Sequence, residues 1–283
     1  MSKVDLHLHS SVSDGILSPA ELVAKTAELG LTAMSLTDHD NVDGIAPGLK
    51  AAERYPSLTF IPGLEISTDT SKGEVHVLGY YIDHTNSELL SALQRLRDSR
   101  LGRAQTMIEK LSAMGMPIEW EQVKELAGDG SVGRPHVAQA LLDKGYIDTI
   151  KEAFTKYIGF GGPAYVPREK KTPVEAVELI TRAEGLAVLA HPLGIPNLDT
   201  LLKTLIRADL IGLEVYYKDY PSEDREYLAG IADKYGLVTT GGTDYHGRDS
   251  STEVMIGEAG VPSYIADNLF ARAETRSRKP TLQ

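Results

Sequence analysis

The chain alternates short apolar, β-branched runs with helical patterns, and this alternation constrains the fold more than any other feature. Seven runs predict strands, at residues 3–8, 32–36, 58–66, 75–82, 186–190, 212–216 and 237–240. Parallel strands need long crossover connections, usually helices, so this order of elements predicts a mainly parallel sheet. We therefore expect an α/β fold.

One stretch departs from the alternation. Between residues 86 and 171 no run predicts a strand, whereas helical patterns recur at 87–114, 119–127, 135–144 and 149–157. This pattern predicts an α/β barrel formed by residues 1–85 and 172–283, with residues 86–171 as a helical insertion that forms a substrate-binding cap. Two barrel helices have clear starts, Ser18-Pro19-Ala20-Glu21 and Thr172-Pro173-Val174-Glu175, each with a capping hydroxyl, a proline and a glutamate.

Composition and charge exclude several classes of protein. The chain has no cysteine, which excludes disulfide scaffolds, thiolate metal sites and a cysteine nucleophile, so any metal must be held by nitrogen and oxygen. The formal net charge of −11 argues against a protein that coats nucleic acid through a general basic surface. From residue 88 to 171, 13 Lys+Arg stand against 11 Asp+Glu, a net of +2, which leaves −13 for the remainder.

The sequence also predicts that the protein does not associate with a membrane. No apolar run reaches the ~18–20 residues of a membrane span. The first residues, MSKVDLHLHS, alternate apolar and polar side chains and contain no signal-peptide core. We therefore expect a cytoplasmic protein.

Histidines and acids gather where predicted strands end. Six of the eight histidines lie in or just after a predicted strand, and three acids accompany them: His7, His9, His39, His76, His191 and His246, with Asp14, Glu65 and Asp244. A single such histidine is more often structural, but the carboxyl ends of parallel strands converge on one face, where functional sites form. Nine ligands are too many for one ion and suit two or three ions that share a bridging carboxylate. Zn, Mn and Fe all fit imidazole with carboxylate.

These residues lie in motifs that resemble a known family. The segments DLHLHS (5–10), LTDHD (36–40), GLEIS (63–67), HV (76–77), AHP (190–192) and GTDYH (242–246) resemble the PHP family, the polymerase and histidinol phosphatase superfamily of metal-dependent phosphoesterases. The resemblance implies a distorted seven-stranded (β/α) barrel of TIM-like form. An insertion that carries an Arg-Pro-His makes the chain similar to the group of 3′,5′-nucleoside bisphosphate phosphatases.

The resemblance also implies roles for the nine ligands. His7, His9, Glu65 and Asp244 would hold a first ion; Glu65 would bridge to a second held by His76 and His191; and Asp14, His39 and His246 would hold a third. Many members have histidine where this chain has Asp14, and aspartate is a harder ligand that favours Mn or Fe over Zn. We expect two or three divalent ions, with Mn preferred, and a metal-bound hydroxide held by Glu65, Asp244 and His246 as the nucleophile.

A second set of residues is predicted to bind substrate: Asp14, His39, Arg100, Arg103, Arg134 and His136. Arginine pairs with phosphate in bidentate fashion, and Arg100 and Arg103 are spaced to share a helix face. Arg134 precedes a predicted helix start, where backbone N–H groups favour an anion. For His136, contact with phosphate and a capping role at that helix both remain open.

We therefore expect a phosphomonoesterase that removes the 3′-phosphate from a nucleoside 3′,5′-bisphosphate. One alternative is a 5′–3′ exoribonuclease that trims short RNA ends. Two others are a metal-binding module without catalysis, which the intact set of nine ligands disfavours, and an amidohydrolase, since the same metal chemistry attacks carbonyls. The sequence leaves base preference and oligomeric state open.

Overall fold

The computed structural model describes residues 3–70, 73–128, 132–167, 171–248 and 253–277, without the side chains of Arg100 and Ser277. Seven strands form a single sheet in the order β1 to β7. They are β1 (Val4–Leu8), β2 (Ala33–Leu36), β3 (Thr59–Thr70), β4 (Gly73–Tyr80), β5 (Leu186–Leu189), β6 (Leu210–Tyr217) and β7 (Val238–Gly242). All seven predicted strands are therefore present.

The sheet curls into a nearly closed barrel. Strands β1, β2 and β3 are parallel, as are β5, β6 and β7, whereas β4 is antiparallel to both of its neighbours. The first and last strands approach each other where Leu8 forms a β-bridge with Tyr245 and the His9 N–H donates to the Tyr245 carbonyl at 3.0 Å. The α/β fold is thus the distorted, TIM-like seven-stranded barrel that the resemblance implied.

Gly242 makes the approach of β7 to β1 feasible. A Cβ atom at this position would lie 2.4 Å from the backbone nitrogen of His7, closer than Cβ contacts occur. The buried Asp5 joins the same region, because its carboxylate accepts hydrogen bonds from Thr243 N, Thr243 Oγ1 and Gly257 N at 3.0, 2.7 and 2.9 Å. Backbone contact and buried hydrogen bonds together hold the two strands in place.

Helices surround the barrel: α1 (Pro19–Glu28), α2 (Ile45–Ala52), α7 (Pro173–Arg182), α8 (Leu198–Arg207), α9 (Ser222–Tyr235) and α10 (Tyr264–Ser277). Both predicted capping boxes are present, with Ser18 N–H donating to Glu21 at 2.8 Å and Thr172 N–H donating to Glu175 at 2.7 Å. Among the described residues, no helix has both the length and the apolar character needed to cross a bilayer.

The described part of the segment between β4 and α7 contains helices and no strand. It contains α3 (Ser87–Ala113), α4 (Trp120–Ala127), α5 (Arg134–Asp143) and α6 (Ile150–Ala153), followed by a π-helical turn at Phe154–Ile158. Met107 and Leu141 belong to a buried core of these helices that is separate from the barrel core, whereas Leu89 and Leu93 at the start of α3 pack into the barrel core. Helix α3 therefore connects the two cores.

Candidate metal centre

The barrel brings the nine predicted ligands to one end. His7 and His9 lie at the end of β1, Glu65 lies in β3 and His76 lies in β4. The other five lie in the segments that follow β1, β2, β5 and β7: Asp14, His39, His191, Asp244 and His246. Contacts at or below 3.8 Å connect all nine side chains. The sequence prediction of one convergent cluster is therefore matched by the positions of these residues.

The direction of β4 explains why His76 joins the cluster. His76 is the fourth residue of its strand, a position that would lie away from the site in a parallel strand. Because β4 runs antiparallel to β3, its beginning lies beside the end of β3, and His76 pairs with Ser67. The extension of β3 to Thr70, beyond the predicted end at residue 66, makes this pairing available.

Glu65 occupies the middle of the cluster. Its Oε1 atom lies 2.8 Å from His76 Nδ1 and 3.1 Å from His191 Nε2. Its Oε2 atom is within 3.3 Å of nitrogens from three further histidines, which are His7, His9 and His39. A carboxylate with imidazoles on both oxygens has the arrangement that a bridging ligand requires.

Three groups of ligand atoms are compact enough for a metal ion, with the atoms of each group within 4.8 Å of one another: His7, His9, Glu65 and Asp244; His9, Asp14, His39 and His246; and His39, Glu65 and His76. His9 belongs to two groups because its Nδ1 and Nε2 face Asp14 at 3.8 Å and Asp244 at 3.0 Å. The implied assignment gave His9 to one ion only. His191 falls outside the three groups and faces Glu65.

The orientation of buried polar atoms fits a metal centre. Within the described residues, His7 Nε2, His39 Nδ1 and Glu65 Oε2 are buried and have no hydrogen-bond partner. Buried polar atoms are normally hydrogen-bonded, because leaving them unpaired costs about 1–3 kcal/mol. Divalent ions would satisfy this set of nitrogen and oxygen donors, whose unpartnered atoms face inward.

Without bound ions, the pKa values of the cluster residues depend on burial and on the mixture of acids and imidazoles. Burial alone would lower the pKa of His9, but the Asp244 and Glu65 carboxylates raise it to about 10. At His39 burial prevails and lowers the pKa to about 3. Burial alone would raise the pKa of Glu65 and of Asp244, yet neighbouring imidazoles hold both well below their ordinary values. Binding of metal ions would therefore displace protons that the cluster holds in the absence of metal.

Glu214, which is not among the residues predicted from the sequence, supports two of the histidines. This buried residue of β6 accepts a hydrogen bond from His7 Nδ1 at 2.9 Å and another from the backbone N–H of His191 at 2.7 Å. The first contact leaves His7 Nε2 free for a metal, which is the usual arrangement of a carboxylate behind a histidine ligand. A single acid inside the apolar run at 212–216 was the available signal.

Tyr217 and Lys218, at the end of β6, were missed as well. The Tyr217 hydroxyl donates to Asp244 Oδ2 at 2.9 Å, and Lys218 Nζ lies 2.9 Å from the same oxygen. The other oxygen, Oδ1, faces His9 and His7 at 3.0 and 3.4 Å. Each oxygen of Asp244 thus has its own neighbours.

An arginine-lined cleft opens beside the cluster. Its open volume is about 560 Å³, and its lining includes Asp14, His39, His76, Arg103, Arg134 and Phe154. Both arginines pair with Glu74, which the sequence analysis did not single out. Arg103 also donates to the Val166 carbonyl at 2.7 Å, while its buried NH2 group has no partner among the described residues. The side chain of Arg100 lies outside the described residues.

His136 lies close to the cleft but is turned into the protein. It is 2 % exposed, and its Nδ1 accepts a hydrogen bond from the Gly133 N–H at 3.0 Å, at the start of α5. Its Nε2 lies 3.0 Å from an NH2 group of Arg248. Of the two roles left open by the sequence, this position supports the capping role, and His136 is not part of the cleft lining.

Comparisons with known proteins agree with the fold and the site. The PHP domain family matches residues 5–164. The 3′,5′-nucleoside bisphosphate phosphatase of Chromobacterium violaceum is 33% identical over 256 residues, covering 87% of this chain and 88% of that protein. The 5′-3′ exoribonuclease Rnm of Escherichia coli K12 is 35% identical over 248 residues, covering 86% and 84%.

A solved structure from Bifidobacterium adolescentis, assigned as a metal-dependent phosphoesterase, superposes with a TM-score of 0.86 at 31% identity, over 95% of this chain and 96% of that one. Barrel, ligand cluster and relatives thus define a phosphoesterase that depends on metal ions. The chain belongs to the PHP domain family.

Proposed function

We propose that this protein is a phosphomonoesterase that removes the 3′-phosphate from nucleoside 3′,5′-bisphosphates, giving a nucleoside 5′-phosphate and orthophosphate. The observation that carries the proposal is the placement of Arg103 and Arg134 in one cleft with His39 and His76 of the cluster. A substrate with two phosphates can occupy both places at once. The similarity to the bisphosphate phosphatase of Chromobacterium violaceum supports the same substrate class.

In this proposal the clustered histidines would hold divalent ions together with Asp14, Glu65 and Asp244. When bound, the ions activate water and neutralise charge on the phosphoryl oxygens. Glu65, Asp244 and His246 would be the residues that hold the metal-bound water. We propose Mn²⁺ as the ion, because Asp14 adds a hard oxygen ligand to the His9, His39 and His246 group.

The arginines bind the phosphate that is not cleaved. Arg103 and Arg134 are largely buried, with side chains 7% and 18% exposed, and share one carboxylate, Glu74. The buried NH2 group of Arg103 still needs an acceptor. A 5′-phosphate would supply acceptor oxygens and fix the distance from the arginines to the reacting 3′-phosphate.

Phosphate release tests the proposal. Protein loaded with Mn²⁺ should release orthophosphate from adenosine 3′,5′-bisphosphate, more slowly from 3′-AMP, and not from 5′-AMP. Glu65→Ala, which loses the central ligand, serves as the control without activity. Absence of release from protein that retains its metal, or equal kcat/KM for the bisphosphate and 3′-AMP, would contradict the proposal. A panel of simple amides and lactones tests the amidohydrolase alternative.

A second candidate, a 5′–3′ exoribonuclease, is favoured by another cleft. Its open volume is about 680 Å³, and its lining includes His191, Glu74, Val75, Leu193 and Ile195. Because His191 of the cluster belongs to its lining, this cleft offers room for the nucleotide that follows the reacting phosphate in RNA. Rates on adenosine bisphosphate, a 5′-phosphorylated dinucleotide and a ten-residue RNA should be compared. Strong preference for the longest chain would make the exoribonuclease the better description.

A further inference from the structure

Three residues that follow consecutive strands share an uncommon backbone conformation. His191 after β5, Lys218 after β6 and Asp244 after β7 have φ values of 28°, 43° and 49°. Residues other than glycine rarely adopt this left-handed region, and those that do concentrate at functional sites. His191 and Asp244 are members of the ligand cluster, so Lys218 follows β6 just as cluster residues follow the neighbouring strands β5 and β7.

The backbone of Lys218 is fixed on both sides. Its N–H donates to the Gly242 carbonyl at 3.0 Å, and its own carbonyl accepts a hydrogen bond from Arg225 at 3.4 Å. The first contact connects the end of β6 to the end of β7, two residues before Asp244. The lysine side chain is therefore directed by rigid strand ends, which is the kind of support that a precisely placed functional group requires.

The ammonium group of Lys218 contacts Asp244, and the side chain is also partly exposed to solvent. Lys218 Nζ lies 2.9 Å from Asp244 Oδ2, and the side chain is 35% exposed. An ammonium has three donors, and one contact to Asp244 leaves others for a ligand. Tyr217 also donates to Asp244 Oδ2, at 2.9 Å, so Asp244 retains a partner on this oxygen when Lys218 turns toward a ligand or is replaced.

Lys218 and the arginines lie at different parts of the cluster. The arginine cleft is lined by Asp14, His39 and His76, and neither Lys218 nor Asp244 belongs to that lining. A phosphate at the arginines therefore leaves Lys218 free to contact a second phosphate at the metal ligands. The arginines would thus bind one phosphate of the substrate, and Lys218 would contact the other.

We propose that Lys218 is a catalytic residue of this centre, whose ammonium donates to an oxygen of the phosphoryl group that is cleaved. The inference rests on the proposed phosphatase function. In the reaction a water oxygen bonds to phosphorus, the bond from phosphorus to the ester oxygen breaks, and the proton from water ends on the leaving alkoxide. Lys218 keeps its proton throughout and offsets the negative charge that develops on the phosphoryl oxygens.

Variants at Lys218 test the role with three measurements: kinetics on adenosine 3′,5′-bisphosphate, bound Mn²⁺ per chain, and binding of inorganic phosphate to the Mn²⁺-loaded protein. Lys218→Met should lower kcat about 100-fold with Mn²⁺ content unchanged, and should weaken phosphate binding about tenfold or more. Lys218→Arg should restore most of both losses. Lys234→Met is the matched control, because Lys234 pairs with Asp199 on the exposed outer helices.

Two results would overturn the inference. One is a Lys218→Met protein whose kcat and phosphate binding stay within about threefold of wild type. The other is loss of Mn²⁺ in proportion to activity, which would reduce Lys218 to a support for Asp244. If the wild type does not cleave the bisphosphate, the proposed function fails on its own. Phosphate binding by wild type and Lys218→Met then still decides the role of Lys218.

Discussion

His7 Nδ1 donates a hydrogen bond to Glu214 Oε1 at 2.9 Å, and both side chains are fully buried inside the barrel. This contact fixes the imidazole so that Nε2 faces Glu65 and Asp244 at 3.3 and 3.4 Å. Carboxylates behind histidine ligands orient the ring and increase its basicity. The cluster is therefore positioned from β6 as well as from the strands that carry its own ligands.

Replacing Glu214 should weaken metal binding without removing a ligand. Glu214→Gln keeps the shape but loses the charge, so we expect a 10- to 100-fold loss of Mn²⁺ affinity, about the range found for such partners. Competition with a fluorescent chelator measures the affinity. Glu178→Gln, at an exposed surface glutamate, is the matched control. An unchanged affinity in Glu214→Gln would show that the contact with His7 does not matter for metal binding.

Asp14 should set the metal preference of the site. Asp14→His replaces a hard oxygen by an imidazole nitrogen beside His246, whose Nε2 lies 3.2 Å from Asp14 Oδ1. We expect the variant to bind Zn²⁺ more tightly relative to Mn²⁺, because nitrogen ligands suit Zn²⁺ better. Elemental analysis after incubation with equal amounts of both ions checks this. A ratio equal to that of wild type would mean that Asp14 does not determine selectivity.

Arg134 should control substrate affinity. Arg134→Ala removes a donor from the cleft, and we expect KM for the bisphosphate to rise about 10- to 100-fold, in line with a lost charge-assisted hydrogen bond, with kcat little changed. KM for 3′-AMP, which lacks the 5′-phosphate, should not change. Arg95→Ala, at an exposed position of α3, is the control. If both kinetic constants were untouched in Arg134→Ala, the phosphate-binding role would be wrong.

Gly242 should be essential for barrel closure. Gly242→Ala places a methyl group 2.4 Å from the His7 backbone nitrogen, so β7 must move away from β1. We expect a loss of roughly 1–3 kcal/mol in the free energy of unfolding, as overpacking typically costs, together with weaker Mn²⁺ binding. Gly230→Ala in α9 meets no atom within 4 Å and should be neutral or stabilising. Urea denaturation of both variants measures the difference.

Metal removal should make stability sensitive to alkaline pH. Burial alone lowers the pKa of His9, but Asp244 and Glu65 raise it to about 10, above the value of 6.5 for an unperturbed histidine. The proton on His9 therefore stabilises the metal-free fold fully below pH 6.5, and this contribution is lost as pH rises toward 10. We expect Tm of protein treated with EDTA to fall between pH 7 and 9, whereas Mn²⁺-loaded protein should not show this fall. Parallel melting curves test the expectation, and equal slopes would contradict it.

Several elements were predictable from local sequence. The strands, the capping boxes at Ser18 and Thr172, and the helices between β4 and α7 follow from short-range patterns of apolar residues, hydroxyls and prolines. The nine candidate ligands were recognisable because His and acidic residues stood at strand ends. Glu74 was not recognisable, since only the cleft shows that it pairs with Arg103 and Arg134.

The sequence alone determined that the chain alternates strands with helices, that any metal is held by imidazole and carboxylate, and which motifs resemble the PHP family, because these properties reside in residue type and spacing. The tertiary structure decided that β4 runs antiparallel and brings His76 into the cluster, that His9 lies between two acids, and that Lys218 reaches Asp244. These relationships depend on strand direction, barrel closure and backbone conformation at strand ends. Contacts between residues far apart in the chain set all three, and no local pattern encodes them.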